Sequence, residues 1–260
     1  IRASVAELAQ RLAIAAPHCV PLSALTGDNV VQPSGHMPWY GGEPLLPLLE
    51  SLPLAGDASK NAVRFFVQWV IRHEGSSTQA FRGYAGQLQG GLLRVGDEVQ
   101  VLPSGEAARV RALQRGEELL DAAAAGDSIT LVLDREIDVS RGDLLVSPGA
   151  LPQVAREFEA DLCWLDRQAL QPARWYWLKQ GARLTQARIT AITAKRDISE
   201  LRTVASSEPL QSNDIGRVQI RTRDALALDD YNAERATGAF ILIDDASHQT
   251  AAAGMVRLPA

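Results

Sequence analysis

Three lysines, four histidines and two cysteines are the residues of this 260-residue chain from which phosphate or metal chemistry would most directly be built. Their spacing builds neither. A loop of the form Gly-x-x-x-x-Gly-Lys-[Ser/Thr] cradles phosphates with backbone amides and reaches the terminal ones with its lysine. Lys60, Lys179 and Lys195 follow Ser59, Leu178 and Ala194, so none is such a lysine. His18, His36, His73 and His248 share no metal-ligand spacing with each other or with Cys19 and Cys163. No Ser/His/Asp set or carboxylate pair stands out, so no catalytic residue and no metal ligand is assigned. Three shorter features remain. Ser23-Ala24-Leu25 ends a short apolar run and leads into the turn residues Thr26-Gly27-Asp28-Asn29. Arg82 and Tyr84 lie in a glycine-broken strand, where small residues permit close backbone approach. They read either as a contact surface for another subunit or domain, or as a barrel bulge with an outward arginine and a half-buried tyrosine. Trp175-Tyr176-Trp177 could stack a base. A period of two puts the tryptophans on one face and Tyr176 on the other, and core packing or an interdomain contact is the favoured reading.

The elements that must carry these residues change character along the chain. Residues 2–16 predict an amphipathic helix, with Ser4 and Glu7 as a capping box and Val5, Leu8, Ala9, Leu12 and Ala13 on one face. Val20–Leu25 predicts a short strand. Pro44 suits the first turn of a helix running to about Leu52. Pro53–Lys60 reads as a linker. Beyond it, Val63–Val70 opens a β-rich region punctuated by Gly90-Gly91, Gly96-Asp97, Ser104-Gly105, Gly126-Asp127 and Gly142-Asp143. That spacing predicts a closed or nearly closed antiparallel barrel. Arg141-Gly142-Asp143 is read as turn chemistry rather than an adhesion motif, with Gly supplying positive φ and Asp capping backbone. A second β-rich stretch (158–165, 174–179, 182–192, 216–222, 239–244 and 251–258) predicts a second small barrel. The expected domains are 1–55, 60–152 and 156–260.

Composition narrows the class. A hydrophobic fraction of 46% suits a chain that buries a real core. A formal charge of −5 disfavours non-specific nucleic-acid binding, which rests on phosphate neutralisation. In the second stretch, Arg183, Arg188, Lys195, Arg196, Arg202, Arg217, Arg221 and Arg223 are interspersed with Asp197, Glu200, Glu208 and Asp214, the pattern of a mixed solvated surface. No apolar run approaches the roughly 20 residues of a membrane span. Two distant cysteines predict a reduced, cytoplasmic protein. The first residue is Ile1, and the chain reads as the back end of a larger protein.

Several stretches together carry a resemblance: Ser23–Val31, Met37–Tyr40, Phe81–Gly86, Gly96–Gly105, Glu136–Asp143, Asn213–Val218 and Arg235–Asp244. They resemble the translation-factor GTPases such as elongation factor Tu, and more closely the large GTPase subunit of bacterial sulfate adenylyltransferase. The resemblance implies a mainly β fold: two antiparallel β-barrels of the translation-factor domain 2 and domain 3 type, preceded by the C-terminal α/β remnant of a P-loop GTPase domain. It implies a parent that hydrolyses GTP, with Mg2+, to drive adenylyl transfer from ATP to sulfate. A small catalytic subunit would be its heterodimer partner, and an adenylylsulfate kinase domain can be fused or associated. It implies that Ser23, Ala24 and Leu25 contact guanine in the intact parent. The chain itself lacks the phosphate loop, the switch regions and the Asn-Lys-x-Asp guanine motif, so it is expected to bind no nucleotide alone and to serve as docking and lever barrels. Nucleic acid and membrane are not expected partners. Two other readings stand beside this one: an RNA-binding translation-type GTPase fragment, and a non-enzymatic β-barrel interaction module.

Overall fold

In a computed structural model, residues 1–12, 14–15, 17–52, 61–73, 81–200 and 202–259 are described. The linker expected over Pro53–Lys60 lies outside them. The chain divides into two units, Ile1–Gly56 with Ser199–Leu201, and Asp57–Ile198 with Arg202–Ala260.

The first unit holds two helices, α1 (Arg2–Arg11) and α2 (Leu45–Ser51). α1 begins at Arg2 with Ile1 at its N-cap and no side-chain capping bond, so the expected Ser4–Glu7 capping box does not form. Ser4 falls inside the first turn, where its hydroxyl no longer faces the orphan N–H groups. α1 is also shorter than the expected 2–16. Ala9 is its buried residue and Leu8 is exposed. The strand expected over Val20–Leu25 is likewise absent. Only an isolated bridge between Ser23 and Asp28 survives there. A strand exists through its ladder, and the described residues of this unit supply no neighbouring strand.

In the second unit the strands curl into two rings. The first uses β1 (Arg64–His73), β2 (Phe81–Gly90), β3 (Leu92–Arg94), β4 (Glu98–Leu102), β5 (Ala107–Arg115), β6 (Glu118–Leu120), β7 (Ala122–Ala124), β8 (Ser128–Leu133) and β9 (Leu144–Val146). Six of them close in the order β4-β9-β1-β2-β8-β5, with β5 pairing back onto β4. The second uses β10 (Gln153–Trp164), β11 (Trp175–Gln180), β12 (Arg183–Asp197), β13 (Arg202–Ala205), β14 (Ile215–Leu228), the one-turn α3 (Arg235–Gly238), β15 (Ala239–Ile243) and β16 (Thr250–Arg257). Its ring runs β11-β15-β16-β10-β14-β12, with β12 closing onto β11. Closure removes the free edges that an open sheet would leave to associate with other chains. Each ring has its own core. Phe65, Val67, Leu88, Leu113, Leu131 and Leu145 fill the first; Leu162, Trp164, Tyr176, Leu178, Ile189 and Leu242 fill the second.

One turn recurs and sets the strand register. In Arg94–Asp97, Ala124–Asp127, Ser140–Asp143 and Gln211–Asp214, the aspartate carboxylate accepts from the N–H three residues upstream at 2.7–2.9 Å. The aspartate N–H donates back to that same residue's carbonyl. The third residue has positive φ: Gly96, Gly126 and Gly142 at 92–97°, and Asn213 at 70°. The turn chemistry read from Gly-Asp is therefore present, with Asn213 as the one non-glycine that tolerates the conformation.

Candidate functional site

The loop carrying Ser23, Ala24 and Leu25 is held from behind by Asp28 and Asn29. Ser23 N–H donates to Asp28 O at 3.1 Å. Asp28 accepts from Ser34 Oγ at 2.5 Å and from the Thr26 hydroxyl, and His36 Nδ1 lies 3.1 Å away. The Ser34 and Thr26 hydroxyls, with His36 behind them, hold the Asp28 carboxyl down to a pKa of about 2. Asn29 sits buried at φ 53°, donating to Pro21 O and accepting from Ser34 N–H at 2.8 Å. Its carbonyl accepts from Leu45 N–H, which ties the loop to the start of α2. This bracing leaves the tip outward. Leu25 is 96% exposed, and the N–H groups of Ala24 and Leu25 have no hydrogen-bond partner among the described residues. Two free amides on a braced turn can receive a carbonyl oxygen. Asp28 and Asn29, rather than the Ser-Ala-Leu triplet alone, make that presentation possible. The dipeptide after Gly27 was the signal for them in the sequence.

Arg82 and Tyr84 separate in the structure. Tyr84 is 1% exposed and its ring lies in the first barrel's core, so it offers no surface to a partner. Burial pushes its hydroxyl pKa up, against the pull of Arg82 and Arg72. Alternation on β2 placed both residues on one side of the strand, and ring closure turned that side to the core. Arg82 escapes by lying over the Tyr84 ring, 5.5 Å from its centroid, while Nη2 donates to Val139 O at 3.4 Å.

A third arrangement joins the barrels, and no single sequence feature announced it. Arg64 projects from the outer face of β1 and meets Asp229 in two bonds, Nε–Oδ2 at 2.8 Å and Nη2–Oδ1 at 3.0 Å. Its Nη1 donates to the carbonyls of Val63 and Ala150. Asp229 also accepts from the Thr237 hydroxyl, and Gln180 Nε2 reaches the carbonyls of Ala227 and Thr237. Phe66, Leu102, Leu144, Val146 and Ala227 pack beside this polar centre. Gly181 is required there: its φ is 53°, and a Cβ would stand 2.6 Å from the Phe66 ring. Gly238 is required for a related reason, since a Cβ would meet Tyr231 Cα at 2.5 Å. The Arg235–Asp244 run thus carries one residue of the joint, Thr237, and the glycine that lets the chain pass it.

Several cations of the second barrel are neutralised in place. Lys195 pairs with Asp214 at 2.7 Å, Arg221 with Glu157 at 3.4 Å, and Arg217 and Arg257 both with Asp161 at 3.0 and 2.8 Å. Burial alone would raise the Asp161 carboxyl, but the two guanidinium bonds outweigh it and hold its pKa down. In the Trp-Tyr-Trp run, Tyr176 is the buried residue, edge-on to Trp164 at 5.8 Å. Trp175 is 42% exposed under Arg188, and Trp177 Nε1 donates to Asp245. Core packing therefore holds for Tyr176 and not for the tryptophans, which face outward. No helix of the described residues is long and apolar enough to cross a membrane.

Comparison with known proteins fits this architecture. Residues 157–257 match the GTP-eEF1A C-terminal domain-like family. A solved structure of sup35 complexed with GDP superposes with a TM-score of 0.70 at 20% identity, covering 92% of this chain and 58% of that one. Sulfate adenylyltransferase subunit 1 of Shewanella oneidensis is 44% identical over 243 residues, 92% of this chain and 49% of the relative. The same-named protein of Aeromonas hydrophila is 41% identical over 98% of this chain and 53% of its own length. A bifunctional enzyme CysN/CysC of Mycobacterium tuberculosis is 39% identical over 98% of this chain and 42% of its own. The chain spans about half the length of the curated relatives it matches. Paired six-stranded barrels define the class by fold, the double β-barrel shared with the sup35 structure, and the second barrel matches the GTP-eEF1A C-terminal domain-like family. Within that class the chain is similar, along nearly its whole length, to about half the length of the sulfate adenylyltransferase subunit 1 proteins.

Proposed function

We propose that this chain is the C-terminal, barrel-bearing region of the GTP-hydrolysing subunit of sulfate adenylyltransferase, working in cytoplasmic sulfate activation. The observation that carries this reading is 44% identity sustained over 92% of the chain, through both barrels and the segment before them. The reaction joins ATP and sulfate into adenosine 5′-phosphosulfate and pyrophosphate. The product is a high-energy anhydride, and GTP hydrolysis supplies the drive. The chain carries the base-contacting end of a GTP site, where the amides of Ala24 and Leu25 face outward beside Ser23. It has no lysine-bearing phosphate loop, so the phosphates of GTP and the Mg2+ fall to other parts of the whole protein. The barrels are the lever and the docking surface. An order–disorder switch at the γ-phosphate repositions a GTPase domain in this class of transition. Barrels fused through Arg64 and Asp229 pass such a movement on as one body.

The partner in this reading is a small catalytic subunit, which the name "subunit 1" of the relatives supports. Arg82, rather than the buried Tyr84, is the partner-facing residue on the first barrel. A relative named as bifunctional supports a fused second activity in some members, read here as adenylylsulfate kinase. The paired cations of the second barrel and the net charge of −5 speak against an RNA partner. Sedimentation of the purified chain with the small adenylyltransferase subunit tests the reading. A one-to-one complex, with no shift on adding tRNA at low salt, is expected. A chain that ignores the small subunit but binds tRNA overturns it.

A further inference from the structure

The first barrel carries a small cleft between β2, β5 and β8 that gathers three arginines against two carboxylates. We propose that it binds a tetrahedral oxyanion: sulfate, phosphate or the terminal group of a phosphate ester. Arg82 contributes from β2, Arg111 from β5 and Arg135 from just beyond β8, with the buried Tyr84 and the carboxylates of Asp134 and Glu136 also lining it. None of the three arginines forms an ion pair with a carboxylate among the described residues. Arg72 stands directly across the ladder from Arg82 and adds a fourth positive charge, with no ion pair to a carboxylate among the described residues. Like charges directly opposite on neighbouring strands repel, and a bound anion removes that penalty.

The guanidiniums are held rather than free. Arg82 rests on the Tyr84 ring at 5.5 Å, and its Nε is buried without a hydrogen-bond partner. Arg135 is fixed by donating Nε and Nη2 to Ala107 O. Arg111 is exposed, at the register shift between Val110 and Ala112, where a bulge re-aims the side chain. Of the two carboxylates, Asp134 is turned to the backbone, accepting from Arg109 N–H at 2.9 Å. Planar guanidinium forks match the oxygen spacing of sulfate and phosphate. Size selects further. The cleft encloses about 120 Å³, well below the roughly 300 Å³ at which pockets begin to hold drug-sized ligands. That volume matches a single oxyanion better than a base or nucleoside.

Isothermal titration of the 260-residue protein with sodium sulfate, sodium phosphate and glycerol 3-phosphate, at ionic strength held constant with chloride, tests this. One saturable site is expected. Arg111→Gln, an exposed position, is expected to weaken binding about tenfold with the melting temperature unchanged, and Arg82→Gln to remove it. Should Arg82→Gln not fold, Arg111→Gln combined with Arg135→Gln carries the same test. Binding of the inorganic ions identifies a free oxyanion as the ligand; binding of glycerol 3-phosphate alone identifies an ester and equally supports the cleft. No saturable heat with any of the three, or unchanged affinity in the arginine variants, overturns the inference. Docking of the small subunit is read in chloride without these anions, so the two results fail independently.

Discussion

Arg64 shows how much one residue carries in this protein. It is a charged side chain in a β-rich run, and a reading by period two would send it to water. Instead its side chain is 4% exposed and bonded bidentately to Asp229. Removing one partner of a buried pair leaves the other uncompensated, at a cost of about 3–5 kcal/mol. Asp229→Ala is therefore expected to lower unfolding stability by that amount in a denaturant titration, and a loss under about 1 kcal/mol would contradict the account. Arg64→Met with a matching apolar residue at 229 should cost much less, because no bare charge remains. Asp28 gives a second residue-scale expectation. Its folded pKa of about 2 lies below the ordinary carboxylate value, so its contribution is present above that ordinary value and lost as pH falls through about 2. A carboxyl carbon titration should place the Asp28 midpoint near 2, and a midpoint at the unperturbed value would mean the Ser34 and Thr26 bonds do not hold in solution.

At the scale of elements, turns decide more than strands do. The four Asp-closed turns set where β4, β8, β9 and β14 begin, and they need φ between 70° and 97° at one residue. Gly126 has open space around its Cα, so Gly126→Ala is expected to cost only backbone strain, about 1–2 kcal/mol. Gly181 combines positive φ with the Phe66 ring at 2.6 Å from a built Cβ. Gly181→Ala should cost about 1–3 kcal/mol more than Gly126→Ala, the added part being overpacking at the barrel joint. Thermal melts of the two variants side by side measure that difference. Equal losses would show that the joint yields freely. The strand expected over Val20–Leu25 makes the complementary point: a short apolar run does not make a strand without a ladder to join.

For the second unit as a whole, the joint predicts that the two barrels melt together. Each has its own core, and separate cores can unfold separately. Arg64, Asp229, Thr237 and Gln180, packed beside Phe66 and Leu144, bind one barrel's stability to the other's. Calorimetry of the wild-type chain should show one transition for the barrels, resolving into two in Asp229→Ala. Two transitions in the wild type would refute the coupling and remove the basis for a lever acting as one body.

Much of this was open to reading in the chain. Alternation and the Gly-Asp pairs gave the strands and their turns because both are local: period two is a property of extended backbone, and positive φ is a property of glycine. The resemblance carried in Ser23–Val31 and Arg235–Asp244 pointed to the relatives the chain matches. Three things lay beyond local pattern. Ring closure through β4–β5 and β11–β12 joins strands that alternation cannot order. The burial of Tyr84 beneath Arg82 follows from which side of β2 the ring encloses. The bonding of Arg64 to Asp229 unites residues 165 positions apart. Sequence determined which segments could be strands, turns and loops. The tertiary structure alone decided which faces met, because burial is set by what packs opposite and not by the residue itself.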